Sequence, residues 1–365
     1  MTHSPLLEPL AMGSLNLPNR VLMAPLTRNR AHGDGTPKDM AQTYYAQRAS
    51  AGMIWTEAVQ IDPMGKGYID TPGIHADDHV KAWRKINDAV HAAGGRMCIQ
   101  LWHVGRISHT SLLPEGRNPV SSTDKVADAQ TFTANGFEDC SKPEALTVEG
   151  IRELIGQYDR AAQLAREAGF DAVEIHAANG YLLDQFLQDG VNDRDDDYGG
   201  SVENRMRLLQ EVIGTVASHW ERGRIGVRLS PLGQAHDMSD SDPETHFGAI
   251  YRMLSDEQLA FLHVVENFPG NESDGSLTQK LRSEFTSGLY IANGGYDKEQ
   301  AEKVVRDGYA DAITFGRPFI SNPDLPERIR VGADWAEADQ DTFYGGGEEG
   351  YIDYPALDTN AAKAA

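Results

Sequence analysis

The chain has 365 residues, is 40% apolar and carries a formal net charge of −22. That length supports one large domain or two modest ones. The acidity argues against nucleic acid and anionic membrane surfaces as partners, so any anionic ligand has to be held by a local positive site.

No apolar run reaches the length of a membrane-spanning helix. The opening residues, Met-Thr-His-Ser-Pro, lack the basic stretch and apolar core of a secretion signal. Cys98 and Cys140 are too few for a disulfide framework, and Cys98 sits in an apolar run where a buried thiol belongs. These features point to a reducing cytoplasm.

In chain order, residues 19–26 form a short apolar run closed by Pro25 and Thr27, a first strand. Residues 40–51 have helical spacing, and 53–61 read as a second strand. A helix over 77–93 is stopped by Gly94-Gly95, and 96–103 is a third strand. A long excursion over 104–146 follows, with Asn135-Gly136 as a hairpin signal inside it. Insertions of this length after a strand often act as lids or binding loops. After a helix over 147–168, Val173 and Ile175 alternate with Ala172, Glu174 and His176, the period-two pattern of a strand. Helices over 201–220, 243–257, 277–285, 297–307 and 324–331 then alternate with strands over 224–231, 259–266, 288–295 and 310–319.

Eight strands alternating with helices predict an α/β protein, a closed (β/α)8 TIM barrel rather than a doubly wound sheet. The segment before Asn19 would cap the bottom, and the excursion after strand three would serve as a lid. A single domain would span 1–357, with a disordered polar tail over 358–365.

In such a barrel, functional groups stand at the C-terminal strand ends. Here those ends carry Pro25, Leu26 and Thr27; Ala58; Gln100 with Trp102; His176 with Asn179; Arg228; Gly294-Gly295; and Gly316-Arg317. His176, Asn179 and Tyr181 follow one another just beyond strand four. His and Asn can both donate to one oxygen, and Tyr can deliver a proton. Taken alone, they fit ordinary satisfied polar residues equally well.

Arg228 shares a strand face with Gly226 and Ser230. It cannot lose its proton, so inside a barrel it needs an anionic partner. The candidates are Glu57, Glu174 or, preferred here, a cofactor that becomes anionic on reduction. Gly294, Gly295, Gly316 and Arg317 end strands seven and eight, where barrels often bind phosphate. Glycines let backbone N–H groups approach the phosphate, and Arg317 adds a two-pronged cation. A metal-dependent hydrolase would need a His and carboxylate cluster at the strand ends. The first strand lacks a His-x-His, and His75 and His79 belong with a predicted helix. A barrel that only binds ligands is the third class.

Several motifs occur in order: Asn19-Arg20-Val21, Met23-Ala24-Pro25-Leu26-Thr27-Arg28, Tyr44-Tyr45, Gln47-Arg48-Ala49, Gln100-Leu101-Trp102-His103 and Gly105-Arg106. They continue with His176-Ala177-Ala178-Asn179-Gly180-Tyr181-Leu182, Asp197-Tyr198-Gly199-Gly200-Ser201, Phe315-Gly316-Arg317, Tyr344-Gly345-Gly346 and Asp353-Tyr354-Pro355. From Asn19 to Pro355 the chain resembles the old yellow enzyme family of FMN-dependent ene-reductases, including its bacterial nitrate-ester and N-ethylmaleimide reductases.

The resemblance implies that Thr27 bonds the flavin O4, a position that is Cys in some branches. Pro25, Leu26 and Ala58 would line the flavin, with His176 also beside it. Gln100 would bond its pyrimidine edge, Arg228 would face N1–O2, and Gly294, Gly295, Gly316 and Arg317 would hold the phosphate. His176 and Asn179 would grip the substrate's activating oxygen; many relatives carry a second His at the latter position. Tyr181 would donate the proton. Tyr68, Trp102, Tyr344 and Phe268 would line the pocket. NADPH, or NADH, would reduce the flavin. The implied substrates are small electrophilic alkenes (enones, maleimides, nitroalkenes) and extend to nitrate esters and nitro compounds. No metal is expected, and the chain is read as a monomer or weak dimer.

Overall fold

Every residue of the five strands from the second to the sixth barrel position is buried. A parallel strand with helices outside and other side chains inside has no wet face, so its sequence loses the clean alternation of a half-exposed strand. In the computed structural model, which describes residues 4–267 and 275–357, these strands belong to a closed parallel barrel. Its strands are β1 (Val21–Met23), β2 (Ile54–Gln60), β3 (Met97–Trp102), β4 (Ala172–His176), β5 (Ile225–Leu229), β6 (Phe261–Val265), β7 (Leu289–Asn293) and β8 (Ala312–Phe315). Each pairs with the next, and β8 pairs with β1.

The outer layer is α1 (Met40–Ala46), α2 (Asp77–Ala92), α3 (Val148–Glu167), α4 (Val202–Val216), α5 (Pro243–Asp256), α6 (Ser276–Glu284), α7 (Lys298–Arg306) and α8 (Leu325–Val331). Thr147, Ser201 and Asp242 cap α3, α4 and α5 with their side chains, and Asp297 with Gln300 forms a capping box on α7. Each cap contributes about 1 kcal/mol by satisfying an otherwise unpaired N–H.

At the N-terminal end of the barrel, an antiparallel hairpin pairs Leu10–Met12 with Leu15–Leu17. Its Met12 and Leu17 have no exposure and pack with Leu22, Met53, Trp55, Cys98 and Phe261. Gly13 makes the turn at φ +54, and a Cβ there would lie 1.9 Å from the Gly223 carbonyl oxygen. Only glycine fits.

Some boundaries differ from the sequence reading. β1 ends at Met23, because Pro25 cannot donate to a ladder and turns the chain out of the sheet. β8 stops at Phe315; Arg317–Ser321 is a short helix with Pro318 in its first turn, not a strand running on to residue 319. α1 stops at Ala46, short of residue 51. A six-residue helix, Leu182–Leu187, was not anticipated. Inside the excursion, Gln130–Thr133 and Gly136–Asp139 form an antiparallel hairpin, with Gly136 at φ +99. Phe268 and the tail 358–365 lie outside the described residues.

Candidate functional site

The site is built from the end of β4. Past His176 the chain must turn sharply, and Asn179 (φ +59) and Gly180 (φ +75) both adopt left-handed backbone to do so. Asn tolerates that region better than most residues, and glycine accepts it without strain. A Cβ on Gly180 would also fall 2.7 Å from the Ala235 carbonyl oxygen. Neighbours from the β5 loop hold the turn. The Asn179 N–H donates to Ser230 Oγ at 2.7 Å, and its carbonyl lies 2.7 Å from His236 Nδ1. The Gly180 N–H donates to Asp184, whose buried carboxyl is pushed up to about 7 by desolvation. The guanidinium of buried Arg106 donates to the carbonyls of His236 and Asp237, holding the loop after β5 against the segment that follows β3.

His176 is 3% exposed. Its Nδ1 accepts from the Ala178 N–H at 3.3 Å, which assigns the ring proton to Nε2 and makes that nitrogen a donor. Burial, followed by the nearby charge of Arg228, holds the imidazole well below its ordinary pKa. It is therefore neutral at physiological pH. The side-chain Oδ1 of Asn179 is buried without a hydrogen-bond partner among the described residues. Tyr181 packs its ring 5.2 Å from His176 and 5.1 Å from Trp102, edge to face in both cases. Its hydroxyl lies 3.0 Å from that of Tyr68, which stacks on Trp102.

Neighbouring carboxylates explain what Arg228 is not doing. Glu174 is fully buried and receives Trp55 Nε1 (2.8 Å), Gln100 Nε2 (2.7 Å) and His263 Nδ1 (2.8 Å). Glu57 accepts the Arg28 backbone N–H at 3.1 Å, and burial raises its carboxyl to about 7. Neither forms an ion pair with Arg228. Among the described residues, Arg228 donates to Asn293 Oδ1 at 3.0 Å, and its Nε is buried without a partner. A buried cation with an unmet donor calls for an anionic or strongly accepting ligand.

The residues present fit an FMN. Arg228 offers its unmet donor, and Gln100, whose amide nitrogen is committed to Glu174, keeps its Oε1 as an acceptor. Pro25, Leu26 and Thr27 are half-exposed just beyond β1. Ala58 packs with Trp102 and Tyr68. At the β7 and β8 ends, Gly295 has φ +77 and open space at its missing Cβ. Gly316 backs onto Leu26, where a Cβ would make a tight 3.3 Å contact. Arg317, which begins the short helix after β8, has no ion-pair partner among the described residues. It borders a separate cleft with Trp335 and Phe343.

A largely apolar cleft of about 430 Å³ opens beside these groups, lined by Thr27, Asn29, Tyr68, Gln130, Phe132, Phe137, Tyr181 and Tyr344. Four of these residues were singled out from sequence. Phe132 and Phe137 were not, although the hairpin signal places them as a cross-strand pair. Phe137 and Tyr344 are large aromatics left 71% and 64% exposed. His236, 5.2 Å from Tyr181, gave no sequence signal, because only the fold of its loop brings it there.

No helix among the described residues is long and apolar enough to cross a membrane. Among the same residues, no group of three or more His, Cys, Asp or Glu could hold a metal ion.

The sequence matches the model of the NADH:flavin oxidoreductase / NADH oxidase family over residues 5–334. It is 44% identical over 361 residues to 12-oxophytodienoate reductase 1 of Oryza sativa subsp. japonica, covering 97% of this chain and 93% of that protein. A 12-oxophytodienoate reductase 2 of Arabidopsis thaliana is 40% identical over 364 residues, covering 98% of this chain and 97% of that protein. Among solved structures, morphinone reductase in complex with tetrahydroNAD superposes with a TM-score of 0.93 at 45% identity, covering 98% and 99% of the two chains. The old yellow enzyme homologue from Zymomonas mobilis gives 0.93 at 42%, covering 96% of this chain and 99% of that one. Agreement of family, curated relatives and fold along nearly the whole length shows that the chain belongs to the old yellow enzyme family of FMN-dependent NADH:flavin oxidoreductases.

Proposed function

We propose that this protein reduces activated C=C bonds of small electrophilic alkenes (enones, maleimides and nitroalkenes) and also takes nitro compounds and nitrate esters. The observation that carries the reading is a neutral donor, His176 Nε2, within one turn of Asn179 and Tyr181 and beside an unpaired Arg228.

When bound, FMN supplies hydride chemistry. Thr27, Pro25, Leu26, Ala58, Gln100 and Arg228 would hold its ring system, with the Arg228 cation suited to a ring that carries negative charge. Gly294, Gly295, Gly316 and Arg317 would hold its phosphate.

His176 and Asn179 donate to the substrate oxygen, where negative charge builds up in the transition state. One such preorganised donor is worth about 3–4 kcal/mol of barrier. A neutral imidazole suits this task because it donates without adding a second buried cation beside Arg228. Tyr181 delivers a proton to the α-carbon as a general acid. Trp102 and Tyr68 exclude water and orient the alkene, and Tyr344 meets it at the mouth. Phe268, which lies outside the described residues, joins them in this reading.

The reductant is NADPH or NADH, admitted to the same cleft. The hairpin at its mouth, from Gln130 to Asp139, carries Glu138 and Asp139 and no Lys or Arg. That hairpin itself offers the 2′-phosphate of NADPH no cation. One domain over 1–357, acting in the cytoplasm as a monomer or weak dimer without nucleic acid or membrane, completes the reading.

The test is direct. Protein loaded with FMN should be yellow, bleach with NADH or NADPH in the absence of oxygen, and regain its colour on adding cyclohexenone. Protein that stays colourless after reconstitution, or bleached protein that cyclohexenone leaves bleached, would refute it.

A further inference from the structure

The role given to Tyr181 creates a charge problem, and the inference drawn from it rests on the reading above. A phenol that protonates carbon is left as a phenolate. Tyr181 is surrounded by the rings of Trp102, His176 and His236 at 5.1, 5.2 and 5.2 Å. Burial pushes its hydroxyl well above the ordinary tyrosine value, so a lasting anion there is costly. The one described group within hydrogen-bond reach of that hydroxyl is the hydroxyl of Tyr68, at 3.0 Å, and either oxygen can donate.

Tyr68 is held for the task. Its ring stacks on Trp102 with centroids 5.9 Å apart and planes 18° apart. Its carbonyl receives the Thr71 hydroxyl at 3.0 Å, and the next residue's N–H, that of Ile69, donates to the Phe132 carbonyl at 2.9 Å. Burial raises both hydroxyls above the ordinary tyrosine value, so an anion left on Tyr181 is relieved by a proton from the one described hydroxyl in reach, that of Tyr68. Tyr68 also lines the open cleft.

We propose that Tyr68 is a proton relay acting through Tyr181. As hydride adds to the β-carbon, the alkene π pair takes the Tyr181 hydroxyl proton at the α-carbon. Tyr68 hands its own hydroxyl proton to the Tyr181 oxygen, and water in the cleft reprotonates Tyr68. One hydride and one solvent proton are consumed for each alkene, and both phenols end neutral.

Tyr68→Phe keeps the ring and its stacking while deleting the relay, so the test uses the FMN-loaded enzyme carrying Y68F. Reoxidation of the reduced enzyme by cyclohexenone should slow by about ten-fold or more, in the range of general acid effects. Reoxidation by ferricyanide, which takes electrons without a carbon-bound proton, should be unchanged. A second readout does not depend on turnover. With 3,5-difluorotyrosine at position 68, the 19F titration midpoint should move upward when Tyr181→Phe removes the hydroxyl that stabilises the Tyr68 anion. The relay is overturned if Y68F leaves the cyclohexenone rate intact, if it slows cyclohexenone and ferricyanide equally, or if the 19F midpoint does not move. If the unsubstituted enzyme is itself not reoxidised by cyclohexenone, the ene-reductase reading fails along with the relay.

Discussion

Replacing Arg228 with Met should affect the flavin-free and flavin-bound proteins in opposite ways. In the flavin-free chain, Arg228 is a 6% exposed cation with one hydrogen bond, to Asn293, and an unmet Nε. An uncompensated buried charge costs several kcal/mol after relaxation. Removing it recovers that cost but strips Asn293 Oδ1 of its donor, a loss of about 1–3 kcal/mol. The stability of the flavin-free protein should therefore stay level or rise by ~1–3 kcal/mol. FMN binding should suffer instead. Hydrogen bonds from a charged group are worth about 1.5–3 kcal/mol each. Losing the one that Nε would make weakens the complex by about 1.5–3 kcal/mol, or roughly 10- to 150-fold in Kd. The assay pairs urea unfolding of flavin-free protein with fluorescence titration of FMN, for the parent chain and R228M. An R228M protein that is destabilised by more than ~3 kcal/mol without FMN, yet binds FMN as tightly as its parent, would show that Arg228 answers to the protein and not to a cofactor.

Tyr181→Phe should cut alkene reduction by about 100-fold or more while leaving flavin reduction by NADH or NADPH within a factor of about two; equal losses in both half-reactions, measured by stopped flow, would remove Tyr181 from its role. Arg317→Ala should weaken FMN retention by about ten-fold or more, the value of one charge-assisted contact, and undiminished flavin content after dialysis would count against a phosphate contact. Glu57 and Asp184 each have a folded-state pKa raised to about 7, above the ordinary carboxyl range. The folded chain holds those protons more tightly, so their contribution is complete below the unfolded value near 4 and is lost as pH rises through about 7. Buried histidines held below their ordinary pKa, His103 and His176 among them, act in the opposite sense as pH rises toward about 6.5, so the test is the difference between the parent and Glu57→Gln: the parent's urea midpoint should lose ground to the variant's as pH rises from about 5 to about 7, and a difference that does not change with pH would mean Glu57 is ionised throughout. Phe137→Ala, which trims an aromatic left 71% exposed at the mouth, should raise KM for bulky enones more than for cyclohexenone, and a uniform change across substrates would place the ring outside the binding path.

What could be read from sequence follows physical range. Strand β4 was legible because Val173 and Ile175 alternate with their neighbours and a glycine-ended helix precedes them, both local signals. The group of His176, Asn179 and Tyr181 was legible because six consecutive positions hold it, with a left-handed Asn-Gly pair forcing the turn. The state of Arg228 was not. Whether it pairs with Glu57 or Glu174 depends on which donors reach Glu174 first, and those come from β2, β3 and β6. The full reach of β8 was misjudged because the apolar residues Phe319 and Ile320 continue the strand-like run, while Pro318 serves equally well as the first turn of a helix. His236 and Arg106 act across more than a hundred residues of chain, and no local pattern marks such a contact.

The architecture separates proton handling from substrate choice. His176, Asn179 and Tyr181 stand at the end of β4, Ser230 and His236 tie their turn to the loop after β5 with 2.7 Å hydrogen bonds, and Arg106, after β3, holds that second loop from the other side. A tenth of a nanometre of drift in such a constellation costs about two orders of magnitude in rate, which favours strand ends over free loops. The groups that meet the far side of a substrate come from the hairpin of Phe132 and Phe137 and from the turn bearing Tyr344, neither of which belongs to the barrel. Exchanging that hairpin for another sequence should therefore re-rank substrates by KM while leaving the Tyr181-dependent step intact. Were a hairpin exchange instead to lower the rate of proton transfer for every substrate alike, the loop at Ile69, which is bonded to Phe132, would be the link, and the separation between platform and mouth would not hold.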